Sequence, residues 1–345
     1  MNRHTLSSFL AATAMLFGSA AAQAEETITL KVGHFWPATA MSQKKVLEPW
    51  CDKIAAESGN RLKCQIFPGT QLGGTPGQLY QQVADGVADI AWTLPGYTGG
   101  RFPSMEVFDL PFLIRDAESA SRAAWEYAQR FGAKEFAAVK PLAFHVHDAG
   151  QIHNNKRPIE KPADFRGLKM RAPTRLTNRM LAELGATPVA MPAPQTPEAV
   201  SKGVVDGYVL PWEVIPTLKL HELTRFHSEM DPALPALYTT SFIIAMNKAT
   251  YASLPDDLKK VIDANSGADF SAAIGKAWDD SAAAARQQAV ERGNRFNTIP
   301  ADTATEWLAL GERLADDWAK EMSAKGLPGQ EMLDTARSLV KQYSK

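Results

Sequence analysis

From Glu25 onward the chain alternates short β-type segments with single helical ones, and this rhythm restricts the fold more than any other feature. Ile28-Thr-Leu-Lys-Val-Gly33 alternates as a strand does, and the stretch from Gln43 to Ser58 reads as a helix that stops at Gly59-Asn60. Leu62 to Phe67 reads as a second strand, closed by Pro68-Gly69. A helix from Pro76 to Asp85 and a third strand from Ala88 to Trp92 follow. Strands separated by single helices pair in parallel, so the pattern implies a doubly wound α/β sheet flanked by helices.

The rhythm then repeats with different residues. Leu142 to His147, Leu168 to Arg171, Pro188 to Met191 and Val205 to Val209 read as strands, with helices at Pro173 to Leu184 and Pro197 to Lys202. Two such sets, joined near residue 147, describe two similar lobes. The segment Leu237 to Met246, rich in Tyr, Thr, Phe and Ile, reads as a strand returning to the first lobe. Lobe I is therefore expected from 25–147 plus 237–275, and lobe II from 148–236 plus 276–345. Beyond Asn247 the sequence reads as almost wholly helical, with apolar spacing such as Trp307, Leu310 and Leu314 in a long C-terminal region.

The N-terminus has the layout of a secretory signal. Met1-Asn2-Arg3-His4 is basic, Leu6 to Ala22 is apolar and small, and Ala22-Gln23-Ala24 is a cleavage signature, so 1–24 is predicted to be removed on export to the periplasm. No later run approaches the ~20 apolar residues a spanning helix needs, and no membrane insertion of the mature chain is expected. The 37 basic and 38 acidic residues nearly balance, with no basic cluster to suggest nucleic acid. Cys51 and Cys64 are the two cysteines. In an oxidising compartment they are expected to form a disulfide between a helix and the next strand, the alternative being two buried thiols.

Enzymatic signatures are scarce. There is neither a P-loop, nor Gly-x-Ser-x-Gly, nor His-Glu-x-x-His, and Gly69, Gly73 and Gly74 do not form a dinucleotide fingerprint, so no cofactor is expected. His145-Val-His147 would put two imidazoles on one strand face, as a metal pair requires, but no third ligand stands nearby in sequence. Aromatic residues are more informative. Phe35, Trp36, Trp92, Trp212 and Phe242 fall at or near strand ends, the rim where open α/β sheets bind ligands. Arg171 ends a strand just before Ala172-Pro173, which makes it either a structural ion-pair partner or a hook for an anion.

Several segments carry a family resemblance. They are Leu30-Lys-Val-Gly-His34, Phe67-Pro-Gly-Thr-Gln-Leu-Gly73, Asp109-Leu-Pro-Phe112, Asn155-Lys-Arg-Pro-Ile159, Asp164-Phe-Arg-Gly-Leu-Lys-Met-Arg171 and Gly203-Val-Val-Asp-Gly207. In this order the chain resembles the substrate-binding proteins of TRAP (tripartite ATP-independent periplasmic) transporters, of the dicarboxylate-binding-protein type. The resemblance implies a two-lobed periplasmic binding protein of type II-like fold that delivers a small carboxylate to the membrane subunits of a TRAP permease. It implies that Arg171 pairs with the ligand carboxylate, while the positions of the residues along the chain place His147 beside the hinge and Phe35, Trp36, Trp92, Trp212 and Phe242 around the cleft. Gln151 stands where sialic-acid-type members have a second arginine, and Leu210 where they have an asparagine. These departures point to a monocarboxylate with an apolar or aromatic body. An exported, metal-assisted enzyme working through His145 and His147 is the alternative.

Overall fold

The computed structural model describes residues 27–344, so the expected signal peptide lies outside them. Strands run at β1 (Ile28–His34), β2 (Leu62–Phe67), β3 (Ile90–Thr93), β4 (Val139–Val146), β5 (Gly150–Asn154), β6 (Lys169–Ala172), β7 (Thr187–Ala190), β8 (Gly207–Pro211), β9 (Phe226–Met230), β10 (Ser241–Asn247) and β11 (Arg295–Ile299). They form two sheets, one of order β2-β1-β3-β10-β4 and one of order β11-β9-β5-β8-β6-β7, each flanked by helices. The protein is thus two-lobed, as the doubled rhythm implies.

Within each sheet the strands linked by single helices are parallel: β1 with β2 and β3, and β6 with β7 and β8. The sheets as a whole are mixed. β10 returns to the first sheet antiparallel to β3 and β4, and β5 lies antiparallel to β8 and β9. These strands enter from the other lobe or by a direct turn, so the crossover rule that makes βαβ strands parallel does not govern them. β5, β9 and β11 were not expected from sequence. Each has five residues, and Gln151, His153, Glu229 and Asn297 dilute the apolar alternation that marks a strand.

The chain crosses between the sheets after β4 and again before β10. The crossings are bonded side by side, Gly150 N–H donating to the Tyr238 carbonyl at 3.0 Å. A Cβ on Gly150 would lie 2.1 Å from the Tyr238 ring, so glycine is what lets that ring lie across the crossing.

The C-terminal region joins the lobes instead of belonging to one. The helix Ala268–Glu291 is continuous through the expected boundary at 275/276; it packs against the helix Ala117–Tyr127 and β4 on one side and the short helix Val214–Thr217 on the other. Its approach to Ala117–Tyr127 is close enough that a Cβ on Gly275 would sit 2.1 Å from the Ala117 carbonyl oxygen. In the helix Thr305–Ala324, Trp307, Leu310 and Leu314 join a core within the second lobe, whereas Trp318 and Met322 join the larger core, which draws residues from both lobes. The last helix, Gly329–Tyr343, packs on Ala117–Tyr127 of the first lobe, contrary to the expected grouping of 276–345 with the second. Helical spacing shows that a face is buried but not which lobe covers it.

Cys51, on the helix Glu48–Glu57, and Cys64, on β2, form a disulfide with Cα atoms 5.7 Å apart.

Candidate functional site

Between the sheets lies a small cavity to which both lobes contribute. The first lobe supplies Trp36, Leu94, Tyr97 and Phe242 from beyond the ends of β1 and β3 and from β10. The second supplies Arg171, Pro173, Ala193, Leu210, Pro211 and Val214, while His147, Tyr238 and Thr240 come from the crossings and Trp278 from the long helix. Its walls are mainly apolar and aromatic. Arg171 is the one Lys or Arg among the lining residues, and none of them is Asp or Glu.

Arg171 is the one cationic side chain on these walls. Its side chain is fully buried. Nε donates to the Met191 carbonyl at 3.0 Å and Nη1 to the Val209 carbonyl at 3.2 Å, which fixes the plane of the guanidinium. Nη2 meets no partner in full hydrogen-bond geometry, although the Tyr97 hydroxyl lies close enough to interact with the guanidinium, and no carboxylate forms an ion pair with Arg171 among the described residues. Burial lowers the arginine's pKa, while the Tyr97 and Tyr238 side chains oppose that shift. An arginine nonetheless stays charged in a protein. A buried guanidinium without a counter-charge costs several kcal/mol.

Two tyrosines complete this end of the cavity. The Tyr97 hydroxyl oxygen accepts from the Ala193 backbone N–H at 3.0 Å, which leaves its own proton free to be donated. The Tyr238 hydroxyl is buried without a partner, as are the indole N–H groups of Trp36 and Trp278. Burial raises the pKa of both tyrosines, so they remain protonated donors. Donors converge here without matching acceptors.

Of the candidate ligand residues named from sequence, Arg171, His147, Trp36 and Phe242 line the cavity. Phe35 stands behind Trp36, their ring centroids 4.4 Å apart, and Trp92 sits edge-on to His145 at 5.0 Å. The Gln151 side chain shares a register position with Leu210 but turns its amide back to the Ala149 carbonyl at 3.2 Å. Trp212 is turned away: its indole stacks on Phe296 and donates to Glu229 Oε1 at 2.8 Å. The chain leaves strand geometry after Pro211, so strand parity no longer fixes where residue 212 points. Sequence reasoning missed Tyr97, Tyr238 and Trp278. Tyr97 lies in a short 3₁₀ turn outside any periodic segment, Tyr238 falls within the expected strand 237–246 but precedes β10, which begins at Ser241, and Trp278 is a lone indole in an alanine-rich helix that could have been singled out.

His145 and His147 do not make a metal pair. His145 is stacked on Phe242 at 4.7 Å, its pKa held down to about 3 by burial, and no cluster of three or more His, Cys, Asp or Glu able to hold a metal occurs among the described residues.

Residues 32–321 match the model of the bacterial extracellular solute-binding protein family 7, the DctP family. The chain belongs to this family. Its role is therefore that of a transport receptor and not of an enzyme, which sets aside the metal-assisted alternative. A TRAP solute-binding protein from Rhodoferax ferrireducens T118, solved with copurified benzoate, is 47% identical and superposes with a TM-score of 0.91, covering 92% of this chain and 98% of that one. A marine-metagenome TRAP protein specific for aromatic acid ligands, solved with 3-hydroxybenzoate, is 44% identical with a TM-score of 0.91, covering 93% of this chain and 100% of that one. A Bordetella bronchiseptica TRAP protein with bound (R)- and (S)-mandelate is 28% identical with a TM-score of 0.83, covering 92% and 100%. No helix among the described residues of this DctP-family chain is long and apolar enough to cross a membrane.

Proposed function

We propose that this DctP-family receptor captures an aromatic or similarly apolar monocarboxylate in the periplasm, after removal of 1–24, and hands it to the membrane subunits of a TRAP permease. The observation that carries the reading is Arg171, a buried cation with no carboxylate partner in an otherwise apolar cavity. The ligand carboxylate pairs with Nη2 and takes hydrogen bonds from the Tyr97 and Tyr238 hydroxyls. Charge-assisted contacts of this kind are the strong ones in a site closed to water. The ring then lies among Trp36, Phe242 and Trp278. With no second cation on the walls, a second carboxylate would be buried uncompensated, which disfavours dicarboxylates. The bound benzoate, 3-hydroxybenzoate and mandelate of the three similar structures support this ligand class.

Calorimetry on the mature protein with benzoate, phenylacetate, mandelate, succinate and a sugar acid tests the proposal. Tight one-to-one binding of at least one aromatic monocarboxylate, with succinate and the sugar acid weaker, is expected. Preference for succinate would overturn it.

A further inference from the structure

We propose that His147 is a specificity residue that accepts a hydrogen bond from a hydroxyl on the ligand, so that the receptor prefers hydroxylated aromatic monocarboxylates to the parent acids. The inference rests on the reading of Arg171 as the carboxylate anchor.

The imidazole is fixed in one protonation pattern by its neighbours. His147 Nδ1 lies 2.5 Å from the backbone carbonyl oxygen of Asp148. A carbonyl can only accept, so Nδ1 carries the proton and Nε2 of the neutral ring presents a lone pair. Burial, supplemented by the Arg171 charge and opposed by the Asp148 carbonyl, holds the ring's pKa down to about 4, so it is neutral at pH 7. No protein donor reaches Nε2 among the described residues. The ring centroid is 5.4 Å from that of Tyr238 and 6.1 Å from that of Trp278, both of which line the same cavity.

Supply and demand of protons around the ligand then decide its chemistry. Among the described residues, the fully buried side-chain polar atoms on the walls that lack a partner are Arg171 Nη2, the Trp36 and Trp278 indole N–H groups and the Tyr238 hydroxyl. All of these can donate. A plain carboxylate satisfies donors but brings none, and would leave His147 Nε2 facing carbon, desolvated and unpaired, at the cost that attends any buried polar atom without a partner. A ring or side-chain hydroxyl supplies the missing proton, and its oxygen can accept from an indole N–H. The hydroxyl of 2-hydroxybenzoate is spent on its own carboxylate and cannot serve.

The test measures dissociation constants of benzoate and of 2-, 3- and 4-hydroxybenzoate for the wild-type receptor and for His147→Phe and His147→Gln. Binding of the 3- or 4-hydroxy acid about tenfold tighter than benzoate is expected for the wild type, with no gain for the 2-hydroxy acid. The hydroxy-to-parent ratio should fall toward one in His147→Phe and be partly restored by the amide oxygen of His147→Gln. Should the variants not fold, ¹⁵N-histidine spectra of the wild type give the same answer, the His147 Nε2 resonance moving with the preferred hydroxylated acid and not with benzoate. A wild type that binds benzoate without hydroxyl preference, or a ratio unchanged in folded His147→Phe, overturns the role of His147 alone. If none of the four acids binds, the Arg171 reading falls and this inference with it.

Discussion

Arg171 carries a charge into a place closed to water, and the consequences for binding and for stability have opposite signs. Removing it leaves a ligand carboxylate buried without its partner, so Arg171→Ala should weaken binding by about 2–5 kcal/mol. That is roughly 30-fold to several thousand-fold in dissociation constant. Arg171→Lys keeps a charge but not the planar fork and should recover part of the loss. Without ligand the same cation is a liability, because replacing buried charge with apolar volume is often neutral or stabilising. Arg171→Met should therefore unfold in urea at no lower concentration than the wild type, measured on ligand-free protein. A folded Arg171→Ala protein of unchanged affinity would remove the anchor, and a large loss of ligand-free stability in Arg171→Met would make the arginine structural. The guanidinium was legible in the sequence because a strand that ends on a cation before Ala172-Pro173 opens toward a crevice. Its companions were not. Tyr97 reaches the cavity from a turn with no periodicity to tell which way it faces, and Tyr238 from a crossing ahead of β10, although its segment reads as strand in the sequence.

At the scale of elements, two features tie neighbouring segments together. The Cys51–Cys64 bridge spans 13 residues and joins a helix to the strand after it. Closing a loop of about that size is worth roughly 3 kcal/mol in the chain-entropy model. Reduction should lower the urea midpoint while leaving ligand affinity in place, since neither cysteine lines the cavity. Equal midpoints before and after reduction would show that the bridge adds nothing. The second feature is a buried histidine pair between β5 and β9, where His153 and His227 are register partners. His153 Nε2–H donates to the Leu210 carbonyl at 3.0 Å, His227 Nδ1–H donates to His153 Nδ1 at 2.6 Å, and His227 Nε2 accepts from Asn294 at 2.9 Å. Every nitrogen is committed, and an added proton would set donor against donor. Burial, aided by the charge of Arg286 and by His221, holds the His227 pKa down to about 4. A folded pKa below the unfolded 6.5 gives stability that is present above pH 6.5 and is lost as pH falls through 4. At pH 5 that loss is about 2 kcal/mol for His227. The stability gap between the wild type and His227→Gln should narrow by about this amount between pH 7 and pH 5, and a gap independent of pH would refute the neutral pair. Strands such as β5 and β9 escaped the sequence reading for the reason that makes them useful here: they carry polar groups inward, and those groups are satisfied only by tertiary partners.

For the whole molecule the question is what holds the lobes together around a ligand. The alternation of strands and helices made the two lobes legible, but nothing local in sequence reports contacts between residues far apart along the chain. Arg175, four residues beyond Arg171, spans that gap. Its Nε and Nη2 donate to the two carboxylate oxygens of Glu106 in the first lobe at 3.0 and 2.5 Å, and Nη1 donates to Glu321 of the bridging helix at 2.8 Å. Around it, the Tyr97 hydroxyl meets the Ala193 N–H, and the Met41 N–H donates to Glu213 Oε1 at 3.2 Å. The contacts to Glu106, Ala193 and Glu213 cross from one lobe to the other, so opening the cavity must break them. Arg175 is not among the residues lining the cavity, and its effect on binding would come from the population of the closed form. Because its side chain remains 35% exposed, the pair is screened and is worth roughly 1 kcal/mol rather than the value of a buried one. Arg175→Ala should accordingly raise the dissociation constant about fivefold. The change should fall mainly in the dissociation rate, since a bridge formed after the ligand enters slows its escape more than its arrival. Stopped-flow displacement of a bound aromatic acid measures this directly, and the order of preference among acids should not alter, because no wall of the cavity has been touched. An unchanged dissociation rate would mean that the ligand alone holds the lobes closed, and a changed order of preference would mean that Arg175 shapes the cavity itself.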